Sequence, residues 1–197
     1  MRHKEFNSEL FQEKYRIKSI RLPNWDYSSN GHYFITICTK NMVESLGEIK
    51  NGIMGLNELG CIAHRFWNDI SNHFNNVRLG EFVIMPNHVH GVVRIQNNHL
   101  SVDTRHVNVD TRHGAYLRLG KNNTFGPLNP NSLSSIINHY KGSVKRWCNQ
   151  NRYSNFQWQS RYYDHIIRNE KSQYKIEQYI CNNPQKWCRD RNNSKGL

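Results

Sequence analysis

Two histidines stand one residue apart in the segment Met85-Pro-Asn-His-Val-His-Gly91. Because residues i and i+2 of a strand point to the same side of a sheet, a strand here would present His88 and His90 side by side, with Val89 turned into the core. Imidazole nitrogens at a fixed separation can bind a divalent metal ion and leave coordination positions open, whereas a pair of surface histidines is the alternative. The preceding Pro-Asn turn and the following Gly91 favour a metal site at a strand start, with room for a ligand.

A tyrosine and an asparagine near the end of the chain form a second candidate constellation. Tyr179 and Asn183 are four residues apart on a predicted helix, so they share one face of it. A tyrosine hydroxyl can serve as a nucleophile, and an amide on the same face could bind the same metal ion or phosphate group. The alternative is a packing tyrosine followed by an asparagine that caps the helix.

Three other tyrosines compete for the role of nucleophile. Tyr140 lies in a basic helical segment, and we interpret it as a packing residue or as a surface on which DNA bases stack. Tyr162 and Tyr163 lie near His165 on a predicted strand, where they either support the site or pack within the sheet.

The composition limits the class of protein. The 197 residues, 23.4 kDa in all, suit one domain with an additional arm or insert. Mean hydropathy is −0.84, and no apolar run approaches the roughly 20 residues of a membrane span, so we expect no membrane partner. The first residues lead into no apolar stretch of the secretory kind, and the five cysteines show no paired spacing, so we expect a cytoplasmic protein.

The formal net charge of +12 predicts an anionic partner, and nucleic acid is the leading candidate. Residues 139–197 hold twelve Lys and Arg against four Asp and Glu, a net +8, interleaved with tryptophans and tyrosines. Charge combined with aromatic faces is typical of proteins that bind single strands, although a passive basic surface is the alternative. The candidate DNA contacts are Arg21, Lys141, Lys145, Arg146, Trp158, Arg161, Arg168 and Lys175.

The chain is predicted to form one domain with additions at both ends. A polar, basic arm covers residues 1–20, the domain covers 21–190, and a short tail covers 191–197. A flexible insert at about 96–130 interrupts the domain, because this stretch is rich in Gly, Asn and Pro. The insert contains two copies of Val-Asp-Thr-Arg-His, which are too few for a repeat architecture.

Within the domain, strand and helix periodicities alternate in the order β-α-β-β-α-β, which is that of the ferredoxin-like split βαβ fold. We therefore expect an α+β protein with an antiparallel sheet, two helices on one face, and an extra C-terminal helix. A hairpin is also predicted around Lys50-Asn51-Gly52. The predicted strands cover 32–39, 77–85, 88–95 and 158–168, and the predicted helices cover 57–72, 132–149 and 170–182, with Asn57 and Ser132 as N-caps.

Four segments together resemble one protein family. Pro86–Gly91, the block Trp158–Glu170, and Tyr179–Pro184 followed by Trp187 are similar to the REP-associated tyrosine transposases. The stretch from Trp25 into the first predicted strand also resembles the first strand of that family. These proteins are single-tyrosine HUH transposases of small insertion sequences, and the resemblance spans the predicted domain except for its insert.

The resemblance implies a fold of the HUH endonuclease type and a role for each matching residue. His88 and His90 match the histidine pair that holds Mg²⁺ or Mn²⁺, and Tyr179 matches the nucleophile on the C-terminal helix. Asn183 stands where related transposases place a polar third metal ligand, often glutamine, so asparagine is a departure. The expected supporting residues are Asn87 and His165.

The family cleaves single-stranded DNA beside short hairpins, through a 5′-phosphotyrosine intermediate and without ATP. The resemblance therefore implies DNA transposition, with single-stranded or hairpin DNA as partner, by a monomer or homodimer associated with a bacterial nucleoid. Three other functions stay open: a domesticated, non-catalytic hairpin-binding protein, a metallohydrolase that uses the histidine pair, and a rolling-circle initiator or relaxase. For the last, neither a helicase domain nor a second nearby catalytic tyrosine is apparent in the sequence.

Overall fold

The computed structural model describes residues 21–97 and 128–193. The predicted arm, most of the predicted insert and the last four residues lie outside the described residues. The strands are β1 (Gly31–Cys38), β2 (Gly47–Lys50), β3 (Ile53–Leu56), β4 (Val77–Ile84), β5 (His88–Ile95) and β6 (Tyr163–Ile167), and the helices are α1 (Glu58–Asn68), α2 (Ile70–His73), α3 (Leu133–Gln150) and α4 (Glu170–Asn182), with 3-10 turns at Lys40–Met42 and Pro184–Arg189.

Four strands pair antiparallel in the spatial order β4-β5-β1-β6. Strand β1 is central, because it pairs with β5 on one side and with β6 on the other. With α1 between β1 and β4 and α3 between β5 and β6, the chain follows the predicted β-α-β-β-α-β order. The α+β prediction with an antiparallel sheet is confirmed.

The two faces of the sheet serve different purposes. On β1, Tyr33, Ile35 and Ile37 point into the main core, which α1 and α3 cover from one side. The intervening Phe34 points to the other face, where it joins a small cluster with Ile180 of α4. Each large apolar side chain removed from water stabilises the fold by about 1.5–3 kcal/mol. The strict alternation therefore fixes which residues of β1 and β5 face α4.

The hairpin and both predicted helix caps are confirmed. Asn51 and Gly52 have φ angles of 52° and 75°, the positive values that a two-residue turn of type I′ requires between β2 and β3. Asn57 accepts a hydrogen bond from the Gly60 backbone, and Ser132 caps α3 in the same way.

The predicted helix over 57–72 is wrong in its continuity, because it divides at Asp69 into α1 and α2. The Asp69 carboxylate accepts hydrogen bonds from Asn72 and His73, a local pattern by which aspartate competes with regular helix. The division leaves the packing face intact, since Ile70 is still buried in the main core.

The predicted strand over 158–168 is too long, because β6 begins only at Tyr163. Trp158 makes a single bridge to Thr39, and the chain between these points leaves the ladder. Its carbonyls at Gln159 and Ser160 accept hydrogen bonds from the Lys141 ammonium instead of from a neighbouring strand.

Gly91 provides space for a core side chain rather than for a ligand. A Cβ atom built on Gly91 would lie 2.2 Å from Cζ2 of Trp67, which is fully buried in the main core. The indole therefore occupies the face of β5 opposite to the two imidazoles. The expectation that Gly91 leaves room at the metal site is wrong.

Among the described residues, no helix combines the length and the apolar character that crossing a membrane requires.

Replacing Gly91 with alanine should destabilise the fold. A methyl group there forces Trp67 to move, and such overpacking costs about 1–3 kcal/mol of the free energy of unfolding. The control is Gly55→Ala, whose new methyl would meet only the Glu48 carbonyl at 3.6 Å and should change stability by less than about 0.5 kcal/mol. Urea denaturation measures both variants, and equal midpoints would contradict the packing argument.

Candidate functional site

The two imidazoles lie side by side at the start of β5, as the strand period predicts. His88 and His90 are fully buried, and their ring centroids are 4.4 Å apart. Val89 between them points into the main core on the opposite face. The pair therefore faces α4 from the middle of the sheet.

The position of the proton on His88 is fixed by Asn87. The Asn87 Nδ2 group donates to the backbone carbonyls of Met42 at 3.1 Å and Asn192 at 2.7 Å, so its Oδ1 must face the other way. This oxygen lies 2.8 Å from Nδ1 of His88, which therefore donates to it. The remaining nitrogen, Nε2, is buried without a hydrogen-bond partner among the described residues, and its lone pair is available to a metal ion.

His90 is held on both sides. Its Nδ1 lies 2.9 Å from Oγ1 of Thr36, the residue opposite it on β1, and its Nε2 lies 3.2 Å from the hydroxyl of Tyr179. Burial lowers the pKa of His88 to about 4 and the pKa of His90 well below its ordinary value. Both rings are therefore neutral at pH 7, the form in which imidazole binds metals.

Tyr179 lies over the pair from the last turns of α4. Its side chain is 39% exposed, so the hydroxyl is reachable from solvent while it contacts His90. The same hydroxyl lies 3.3 Å from Oδ2 of Asp190. Burial and the Asp190 carboxylate raise the pKa of Tyr179, so the phenol is protonated at neutral pH.

Asn183 both ends α4 and lines the site. Its backbone N–H donates to the Ile180 carbonyl. Asn183 therefore caps the helix, which the sequence analysis gave as the alternative to a ligand role. Its side chain is buried, with Nδ2 donating to Oδ2 of Asp190 at 3.0 Å. The amide oxygen Oδ1 has no hydrogen-bond partner in the described part of the chain. A second buried polar atom is thus available beside the histidines.

Asp190 is a site residue that the sequence analysis missed. The 3-10 turn at Pro184–Arg189 brings the chain back toward β5, so that single ligand atoms of His88, His90 and Asp190 all lie within 4.8 Å of one another. The only signal in the sequence is a lone carboxylate between two arginines, eleven residues after Tyr179.

The three predicted DNA-contacting residues on α3 do not gather at this site. Lys141 and Lys145 donate to backbone carbonyls of the segment 154–160, and Arg146 donates to Ser143 of its own helix. Trp158 is buried in the main core. The two lysine side chains therefore attach α3 to the chain that precedes β6.

The other predicted contacts are dispersed over several parts of the described surface. Arg21 pairs with the buried Asp164 at 3.6 Å. Arg168 and His165 line a cavity of about 430 Å³ at the start of α4, and Lys175 is exposed on that helix. Arg161 lines a separate cleft that includes Thr36, the partner of His90.

Burial and hydrogen-bond partners distinguish Tyr179 from the other candidate tyrosines. Tyr140 is fully buried and donates to the Ala63 carbonyl at 3.2 Å, so it is a packing residue. Tyr162 bonds to the Arg21 guanidinium, which also lies over its ring. Tyr163 is partly exposed and lines the same cleft as Arg161. Of the tyrosines in the described residues, Tyr179 is the one that bonds to the histidine pair.

No protein-family model matches the chain. A protein from Haemophilus influenzae, described as uncharacterized, is 40% identical over 174 residues, which are 88% of this chain and 91% of that protein. Among solved structures, a REP-associated tyrosine transposase bound to a REP hairpin aligns with a TM-score of 0.54 at 17% identity, over 87% of this chain and 74% of that one.

A second solved structure, a candidate transposase from Deinococcus radiodurans, aligns with a TM-score of 0.41 at 17% identity, over 84% of this chain and 97% of that one. A score this low establishes no shared fold. The first solved structure does establish one, and the high identity to the H. influenzae protein establishes a family. The chain therefore belongs to the same family as that H. influenzae protein and has the fold of a REP-associated tyrosine transposase.

Proposed function

We propose that this protein is a metal-dependent transposase that cleaves and rejoins single-stranded DNA beside hairpin-forming repeats, with Tyr179 as nucleophile. The observation that carries the proposal is the 3.2 Å contact between the Tyr179 hydroxyl and Nε2 of His90, within a cluster of buried ligand atoms. The solved protein of the same fold is described as bound to a REP hairpin, which supports a DNA hairpin as the substrate class.

The side chains fit a divalent ion. Buried polar groups are normally paired, so the unpartnered Nε2 of His88 and Oδ1 of Asn183 indicate a missing partner that accepts lone pairs. His88, His90 and Asp190 would hold the ion, with Asn183 as a further oxygen ligand. Imidazoles mixed with oxygen donors suit Mn²⁺, and Mg²⁺ is the alternative. When bound, such an ion withdraws charge from the scissile phosphate.

In this proposal Tyr179 attacks the scissile phosphate, and its phenolic proton must leave. In the reaction, the phenolic oxygen forms a bond to phosphorus as the bond to the 3′-oxygen breaks, and that oxygen takes up a proton to become a free 3′-OH. The phenolic proton leaves along its hydrogen bond to Asp190, the nearest carboxylate to it in the described chain. The 5′-phosphotyrosine keeps the energy of the phosphodiester, so a second 3′-OH can reverse the step and rejoin strands.

The substrate would be a hairpin in bacterial DNA, so the protein would act at the nucleoid. A monomer and a homodimer are both compatible with a Tyr179 that acts within its own chain. The site is assembled from β5, α4 and the 3-10 turn of a single chain, and this supports catalysis in cis.

Replacing Tyr179 with phenylalanine should abolish the covalent protein–DNA adduct. The substitution keeps the ring, which packs edge-on against Phe34 with centroids 6.1 Å apart, and removes only the attacking oxygen. The substrate is a labelled single strand of DNA that folds into a hairpin with unpaired nucleotides beside it, incubated with Mn²⁺ and analysed on a denaturing gel. We expect a loss of about 10³-fold or more.

Tyr174→Phe is the matched control, because Tyr174 lies on the same helix with 66% of its surface exposed. It should form the adduct as the wild type does, and EDTA should prevent the adduct in both. An adduct that persists in Tyr179→Phe would refute the nucleophile assignment. Cleavage without any adduct would indicate a metallohydrolase, and binding without cleavage a domesticated hairpin-binding protein.

Replacing Asp190 with asparagine should weaken Mn²⁺ binding. The substitution preserves shape but removes the charge from the ligand set. Loss of an outer-shell partner already costs about 10–100-fold in metal affinity, so we expect at least that loss here, measured by isothermal titration calorimetry. Asp26→Asn is the control, since Asp26 is exposed and its carboxylate accepts its hydrogen bonds from the neighbouring Ser28. Equal affinities of wild type and Asp190→Asn would remove Asp190 from the ligand set.

A further inference from the structure

A cleft of about 340 Å³ opens beside the histidine pair on the same face of the sheet. Its floor includes Thr36 and Cys38 of β1, which are the ladder partners of His90 and His88. The Oγ1 atom of Thr36 bonds directly to the His90 ring. The cleft is therefore continuous with the candidate metal site, one strand away from it.

The rim of the cleft combines cations with an accessible aromatic ring. Arg161 and Arg191 are exposed, and Tyr163, which lines the same cleft, is 39% exposed. The Arg191 guanidinium lies 5.9 Å from the centre of the Tyr163 ring. Gln159 and Asn192 add polar groups, and among the described residues the lining contains no carboxylate. This composition attracts an anion and a flat, unsaturated ring together.

We propose that this cleft binds the nucleotide next to the scissile phosphate of a single-stranded DNA, with its base against Tyr163 and its phosphates at Arg161 and Arg191. The inference rests on the proposed function, and it gives that function a substrate-binding subsite. A base-paired nucleotide cannot present a free face to the ring, so the cleft selects an unpaired one. Its volume lies in the range of small-ligand pockets.

Continuity of the chain connects the cleft to the metal site. Asp190 belongs to the ligand cluster and its neighbour Arg191 to the rim, so a phosphate at Arg191 lies one residue from the candidate metal ligands. Asn192 supplies the carbonyl that orients Asn87 and also lines the cleft. A short segment of chain therefore contributes to both subsites.

The larger cavity at the start of α4 suits a DNA backbone less well. Its lining includes the buried Asp164, whose carboxylate disfavours a nearby phosphate. The Arg21 guanidinium pairs with this carboxylate and is therefore engaged by the acid rather than by a phosphate. The cleft beside the histidines has no such acid in its described lining, which is the reason to assign the nucleotide there.

The test measures, by fluorescence anisotropy in EDTA, how tightly the protein binds a labelled oligo-dT strand of about six nucleotides. The comparison is with a labelled strand of equal length whose residues are abasic. Wild type should prefer the strand with bases by about 5–100-fold, since stacking of one base on an aromatic ring contributes that much. Tyr163→Leu should lose this preference and keep its affinity for the abasic strand, whereas Tyr163→Phe should retain the preference.

The arginines are tested by salt dependence. The double variant Arg161→Gln, Arg191→Gln should bind both strands more weakly, and its plot of log affinity against log salt should be flatter by about 1.4, or about 0.7 for each lost phosphate contact. The controls are Tyr174→Leu on α4 and Arg65→Gln on α1, an exposed arginine on the opposite side of the sheet. Both controls should bind as the wild type does.

Retention of the base preference by Tyr163→Leu, or an unchanged salt slope in the double variant, would overturn the assignment of the cleft. The Mn²⁺ titration and the Tyr179 adduct separate this result from failure of the proposed function, because neither depends on the anisotropy assay. An adduct in wild type together with unaltered binding in the cleft variants would reject the cleft alone. Altered binding without any adduct would keep the cleft and reject the transposase.

Discussion

The antiparallel ladder between β1 and β5 is the constraint on which the rest of the molecule depends. Its register sets Thr36 opposite His90 and Cys38 opposite His88, and its pleat sends these four side chains to the face that α4 covers. The alternate residues, such as Ile35 and Val89, fill the main core. A slip of one residue would exchange the two faces and bury the imidazoles among α1 and α3.

The segment that follows α4 adds the remaining side chains to the candidate site on β5. Helix α4 stops at Asn183 and the 3-10 turn reverses direction, so that Asp190 reaches the histidines. One oxygen of Asp190 then accepts bonds from both Tyr179 and Asn183. These polar groups are buried or half-buried, and such networks are costly unless every member is satisfied. Within this network, Nε2 of His88 and Oδ1 of Asn183 have no hydrogen-bond partner among the described residues.

Local periodicity was sufficient to predict the histidine pair, because the period of a strand depends only on neighbouring residues. The positions of Tyr179 and Asn183 followed from helical spacing in the same way. Asp190 could not be predicted, because it reaches β5 through an irregular turn and a contact about a hundred residues distant in sequence. The start of β6 was misplaced because Lys141 takes the carbonyls that a longer strand would have used.

The basic residues show a related limit of sequence interpretation. Charge alone predicted that Lys141, Lys145 and Arg146 contact DNA, yet each of these groups bonds within the chain. Arg191 is one of twelve basic residues in 139–197, and charge alone does not distinguish it from the others. It nevertheless lies at the rim of the cleft beside the histidines. The difference is one of geometry, since a long side chain next to exposed carbonyls satisfies itself locally.

The alternation within His88-Val-His-Gly91 has a consequence for the interpretation of natural variation. The even positions of this motif, His88 and His90, direct their lone pairs toward α4. The odd positions, Val89 and Gly91, face the main core, where Gly91 accommodates the Trp67 indole of α1. Packing against Trp67 restricts position 91 whether or not the imidazoles bind a metal ion. A homologue that keeps Gly91 but not His88 would therefore keep the packing of β5 on α1 without the candidate metal site.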